Sequence, residues 1–465
     1  MSTTFLLSSI LALAVFNSPA RAQNFTINAG QVVTVPGSQS SPWNIGGNLT
    51  NRGDLHIIAG GIVTVGGTLG HAGNLLEVSG SGSELHVTGI MYASSATGTL
   101  QITNGGLVKS ATSYVNGGAA TSHFVEVSGS GSQWTVNGHL IVGDNGNGIL
   151  RITDDAIVEA LVFGTSPNKP AVSSYVEVSG GGQLKATSGF AIGEYHTGAL
   201  LITNKGVVTS GGNAAVGWVT TGSETGEADI SGVGSRWDHS GRLYVGQSGN
   251  GTMRITNGGV VTSTLADIGA SSTGNGHVLV SGSGSRWDNS GYLNIGVNTD
   301  GLPSLLVING GIVTSGGAAI GQVTSAPLKH IVEVSGQGSR WENNGFLEVG
   351  ATGLNGVLRI LGGGFVGTAG ANIRANSWIE VSGTGSWLDS TGGTFTVNGY
   401  ISSGYYYGLL HVRDGGLVTT TGVIIGVGTS PTAGQSGEVE VTDAGSRWDD
   451  SSNIAIGGHG AAAHC

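Results

Sequence analysis

Apolar residues in this chain alternate with polar ones in short runs, and each run stops at glycine, asparagine or serine. In "TMRITNGGVVTSTLADIGASSTGNG", Thr252 to Gly276, the apolar positions are Met253 and Ile255, then Val260 and Val261, then Ala266 and Ile268. The next stretch, "VSGSGSRWDNSGYLNIG" from Val280 to Gly296, offers Val280 with Val278 before it, then Trp287, then Leu293 and Ile295. Alternation with period two predicts strands with one buried face, and the Gly/Asn/Ser clusters predict the turns between them. No helical periodicity follows the first two dozen residues. Three short strands in about 25 residues cannot bury their own apolar face, so successive units must stack on one another.

The units recur. Serine-rich copies start at Ser79, Ser128, Ser179, Ser231, Ser281, Ser335, Ser382 and Thr442, a period of about 50 residues. Between them lie the "ITNGG" halves, such as "TLQITNGGLVKS" from Thr99 and "ALLITNKGVVTS" from Ala199. The two halves resemble each other, which sets the structural period at about 25 residues, too short for a four-stranded propeller blade. The fold expected is all-β: a right-handed parallel β-helix, or β-solenoid, of about seventeen coils and on the order of 80 Å long at ~4.8 Å per rung. Residues 1–22 read as a signal peptide, 23–74 as irregular, cap-like N-terminal coils, 75–457 as the repeat solenoid and 458–465 as a short tail.

Stacking in register makes columns. The outward residue of the first strand reads, coil by coil, Glu77, Gln101, Glu126, Arg151, Glu177, Leu201, Asp229, Arg254, Leu279, Leu306, Glu333, Arg359, Glu380, His411 and Glu440. Glu126, Arg151, Glu177, Asp229, Arg254, Glu333, Arg359 and Glu380 are therefore expected to form a charge ladder that opposes slippage by one coil. Arg242 falls outside this column. The tetrads "SRWD" and "SRWE" put Trp237, Trp287, Trp341 and Trp448, with Trp134 in a looser copy, where other coils carry Val108, Val208, Val261 or Val313. That equivalence marks the five tryptophans as structural repeat residues rather than a sugar-stacking row.

No catalytic, cofactor or metal site is expected. The "TNGG" turns lack the lysine and following helix of a phosphate loop. The twelve histidines are scattered, and the acids follow the repeat instead of pairing for glycoside hydrolysis. One irregular insertion, "ISSGYYYG" from Ile401, makes Tyr405, Tyr406 and Tyr407 a candidate contact patch. Composition narrows the partners. With 17 basic against 28 acidic residues the net charge is −11, which excludes a nucleic-acid partner. Phe5 to Phe16 is too short an apolar run to span a bilayer, and Ala20-Arg21-Ala22 has the small-x-small form of a cleavage site. A lone cysteine, Cys465, leaves no internal disulfide framework.

The alternating "VSGSGSRWDNSGxLxIG" and "LxITNGGxVTS" halves resemble the repeats of autotransporter (type V secretion) passenger domains, which also occur in surface proteins with PEP-CTERM sorting tails. The resemblance covers roughly residues 75 to 460. It implies an exported β-solenoid of Gram-negative-type bacteria with a structural or adhesive role, and it carries no shared catalytic residues. The alternative function is a carbohydrate-binding or polysaccharide-degrading β-helix. Expected partners are a host or matrix surface or a glycan, with no membrane insertion by this chain. Export through the signal peptide should leave the protein secreted, periplasmic or at the cell surface, associated with an outer membrane only through a partner. Self-association through the coil of residues 438 to 465 is also expected.

Overall fold

A computed structural model describes residues 23–93, 98–115, 123–144, 146–165, 173–218, 225–297, 304–322, 329–350, 355–398, 408–427 and 437–458. Among these residues there is no helix, and every strand pairing is parallel. A typical coil has three strands, as in Asn275–Ser281, Arg286–Asn289 and Tyr292–Ile295, and each pairs with its counterpart in the coils before and after. Among the described residues, first strands form a ladder of seventeen, and second and third strands together form a sheet of 28. In several coils the latter two are one bent strand, such as Arg340–Val349, whose register shifts between Asn343 and Phe346. The chain is thus a parallel β-solenoid. The spacing between bonded neighbours is 25 residues at Arg254 and Asp229, 21 at His56 and Glu77, and 33 at Arg413 and Glu380. Residues 25–71 pair into the same sheets as later coils.

The interior explains why the sequence repeats every two coils rather than every one. Down the second strand the inward residues run Val208, Trp237, Val261, Trp287, Val313, Trp341 and Val366, each in register with the next. Down the third they run Ala214, Leu243, Ala266, Leu293, Ala318, Leu347 and Ala371. All are buried. An indole is too bulky to stack on an indole one rung away in a close-packed interior, so a Trp/Leu coil alternates with a Val/Ala coil.

Two polar devices hold this core. At the first corner, Ser285 donates to the Ser281 carbonyl at 2.7 Å and accepts from the Gly258 amide of the preceding coil at 3.0 Å. Ser83, Ser132 and Ser339 repeat both bonds. The turn receiving that serine needs left-handed backbone, supplied by Asn257 at φ 53° and Gly258 at φ 86°. A Cβ on the next residue, Gly259, would collide with the carbonyl oxygen of Ile230. The second device lies beside the tryptophans. Trp287 Nε1–H donates to Ser263 Oγ at 3.0 Å, and Ser263 donates to Asn289 Oδ1 at 2.9 Å. The same trio recurs as Trp341, Ser315 and Asn343, and as Trp237, Ser210 and His239. The serine of each "VTS" is therefore the buried acceptor that lets an indole enter the core with its N–H satisfied.

Candidate functional site

With the inside filled by repeat residues, recognition is left to the outward columns. On the first strands the register stacks Gln101 between Glu77 and Glu126, Arg151 between Glu126 and Glu177, Arg254 next to Asp229, and Arg359 between Glu333 and Glu380. Arg151 reaches Glu177 at 3.0 Å, Arg254 reaches Asp229 at 3.2 Å and Arg359 reaches Glu380 at 3.5 Å. Glu126 faces Arg151, whose guanidinium also lies 5.3 Å from the Phe124 ring. Glu333 accepts from Ser335 at 2.9 Å. His56 with Glu77 at 2.7 Å and His411 with Glu440 at 3.3 Å extend the column at both ends. These pairs are partly solvated, so each contributes about 0.2–1 kcal/mol, and their sign alternation acts on register more than on stability.

Arg242 does lie outside the first-strand column, and it belongs to a second column on the third strands. Its Nε donates to Asp267 at 2.6 Å, and Asp267 is 2% exposed. Asn294 donates to the other oxygen of Asp267 at 2.7 Å, and Gln322 donates to Asn294 at 2.6 Å. A buried carboxylate held by two donors is a stronger restraint than a surface pair. The bond to Asp267 raises the pKa of Arg242 further above the ordinary arginine range.

Trp134, Trp237, Trp287 and Trp341 have no exposed surface. Trp448 is only partly buried, and its Nε1–H donates to Thr420 Oγ1 at 2.9 Å. Tyr405, Tyr406 and Tyr407 lie outside the described residues. Beside Trp237, Trp287 and Trp341 the outward residues pair along their own strand: Arg236 with Asp238 at 2.8 Å, Arg286 with Asp288 at 2.5 Å and Arg340 with Glu342 at 3.0 Å. The "R" and "D" of the tetrad are therefore surface groups, and only its "W" is core.

Two neighbouring coils depart from the repeat at an outward position. "SWLD" at Ser386 to Asp389 carries tryptophan where the other tetrads carry arginine, and "GFVG" at Gly364 to Gly367 carries phenylalanine where its counterparts carry valine, isoleucine or leucine. Phe365 and Trp387 are in register and face outward. The signal was available in the sequence, but a tryptophan in a tetrad reads as core until its column is counted.

These features define a parallel β-solenoid whose inner columns are structural and whose outer columns are charged and locally aromatic. No family model matches the sequence. Over 254 residues the chain is 28% identical to "Adhesin BmaC autotransporter" of Brucella suis biovar 1 (strain 1330), an alignment covering 54% of this chain and 7% of that protein. The chain thus corresponds to a small part of that relative's length. Among solved structures, a hyper-glycosylated fragment, TibC-catalyzed TibA55-350, is similar with a TM-score of 0.34 and 15% identity, over 93% of this chain and 97% of the fragment.

Proposed function

We propose that this chain is an exported, non-enzymatic adhesive rod, a passenger-like β-solenoid that presents its outer columns and coil-joining segments to a host, matrix or neighbouring-cell surface. The observation that carries this reading is the unbroken interior: one core runs through every described coil, which leaves the outer columns and coil-joining segments as the surface a partner can meet. Similarity over 254 residues to an autotransporter adhesin supports the same role. Residues 1–22 would direct export, and Tyr405 to Tyr407 would add a contact patch. Copies of the chain would associate through the coil of residues 438 to 465. Cell fractionation tests the location, and binding of beads coated with the purified chain to matrix-coated surfaces tests the adhesion. Beads that bind no surface would refute the role. A reducing-sugar assay on polysaccharide substrates should show no release.

A further inference from the structure

Two neighbouring coils abandon the repeat at the same place. The first outward position of the second strand carries Arg286, Ile312 and Arg340 in successive coils, then Phe365 and Trp387, and then Leu417. The next outward column, which runs Asp288, Thr314, Glu342, becomes glycine at Gly367 before returning to acid at Asp389. The inward residues of the two coils, Val366 and Leu388, are fully buried. The core is thus complete without the outward aromatics, and nothing in the packing asks for them.

What they build is a fixed aromatic surface. Phe365 and Trp387 meet edge to face, with centroids 5.0 Å apart and planes at 69°. Arg340 covers Phe365 from 4.3 Å. Trp387 Nε1–H donates to Thr419 Oγ1 at 3.0 Å, and Thr419 donates to Asp389 Oδ1 at 2.9 Å. The indole is therefore held in one orientation while 37% exposed. Shallow hollows flank the pair: one of about 330 Å³ against Phe365, Gly367 and Glu342, the other of about 390 Å³ against Trp387, Leu417 and Arg447.

We propose that Phe365 and Trp387 form a glycan-binding site in which a pyranose ring stacks on Trp387 and its hydroxyls bond to Asp389, Glu342 and Arg447. This rests on the adhesive reading above and supplies its ligand class. A pyranose offers a C–H face to an aromatic ring and hydroxyls at its rim, which suits an immobilised indole bordered by carboxylate and guanidinium. The rung spacing of ~4.8 Å is close to the width of one sugar ring, so neighbouring coils can serve neighbouring sugars. Stacked nucleic-acid bases fit poorly, because Glu342, Asp389 and Asp449 share this face. A second copy of the chain fits poorly too, since the pair is ringed by charge instead of extending into a broad apolar patch.

The test uses reversions to the repeat. Trp387→Arg and Phe365→Val each install the residue that equivalent coils carry, so the fold should survive. Parent and variants are compared on immobilised neutral, N-acetylated and uronic-acid oligosaccharides, with melting curves and light scattering on each and with parent adhesion to matrix-coated surfaces run alongside. The parent should bind a subset of the oligosaccharides, and Trp387→Arg should weaken that binding by about tenfold or more with unchanged melting and mass. A parent that adheres but binds no glycan, or a Trp387→Arg protein that binds as the parent does, overturns the site and leaves the adhesive rod standing. A mass change in Trp387→Arg without glycan binding reassigns the patch to self-association. A parent that neither adheres nor binds glycan overturns both.

Discussion

The coils of Trp287 and Trp387 have nearly the same sequence, "GSRWDNS" against "GSWLDST", and use their tryptophans in opposite ways. Ser285 and Ser386 make the same two corner bonds, so the backbones begin in step. One residue later Arg286 and Trp387 point out, and after that Trp287 and Leu388 point in. In the Trp387 coil the interior volume lost at Leu388 is offset by Phe395, which fills the place of Leu293. A strand has only two faces, so moving tryptophan by one position changes it from packing material into surface chemistry.

The comparison is broken most forcefully by truncation. Trp287→Ala should cost roughly 3–5 kcal/mol, because it leaves a cavity and strips Ser263 of its indole partner, whereas Trp387→Ala should cost under about 1 kcal/mol. Melting curves of the two variants check this, and equal shifts would dissolve the contrast. Acid attacks the buried side next. His330 is fully buried, and desolvation lowers its pKa from 6.5 to about 4. The unfolded chain therefore takes up a proton first, so the stability it contributes is complete above pH 6.5 and is lost as pH falls from there to about 4. The loss is on the order of 3 kcal/mol, and His330→Gln should flatten the pH dependence of the melting temperature over that window.

Charge reversals sharpen the same distinction between inside and outside. Arg242→Glu places a second carboxylate against the buried Asp267 and should cost about 2 kcal/mol after allowing for the partial exposure of Arg242. Arg151→Glu, in the solvated column, should cost no more than about 1 kcal/mol. A thermal melt in which Arg151→Glu is the more damaging would invert this assignment. Smallest among the buried changes, Ser263→Ala removes the acceptor of Trp287 and the donor to Asn289. It should lower stability by about 1–2 kcal/mol in urea denaturation, and Ser290→Ala should be neutral beside it.

The fold was legible because alternation at period two and turns at fixed intervals dictate strands that can bury a face only by stacking. Val280, Trp287, Leu293 and Ile295 all read correctly as interior. The two-coil packing rule was only half legible. Trp/Val alternation shows in the sequence, but the serine of "VTS" gives no sign that it will meet an indole 24 residues on. The Arg242–Asp267 pair was missed because register was followed down the first strands alone. Trp387 was missed because tryptophan among repeated tryptophans suggests core. Its meaning lies in a one-residue offset that becomes visible only when the outward columns are aligned.

The contrast between inward and outward tryptophan can be read directly by limited oxidation with N-bromosuccinimide followed by peptide mass mapping. Trp387, being 37% exposed, should oxidise while Trp134, Trp237, Trp287 and Trp341, with no exposed surface, stay intact in the folded chain. Oxidation of Trp287 as fast as Trp387 would contradict the account.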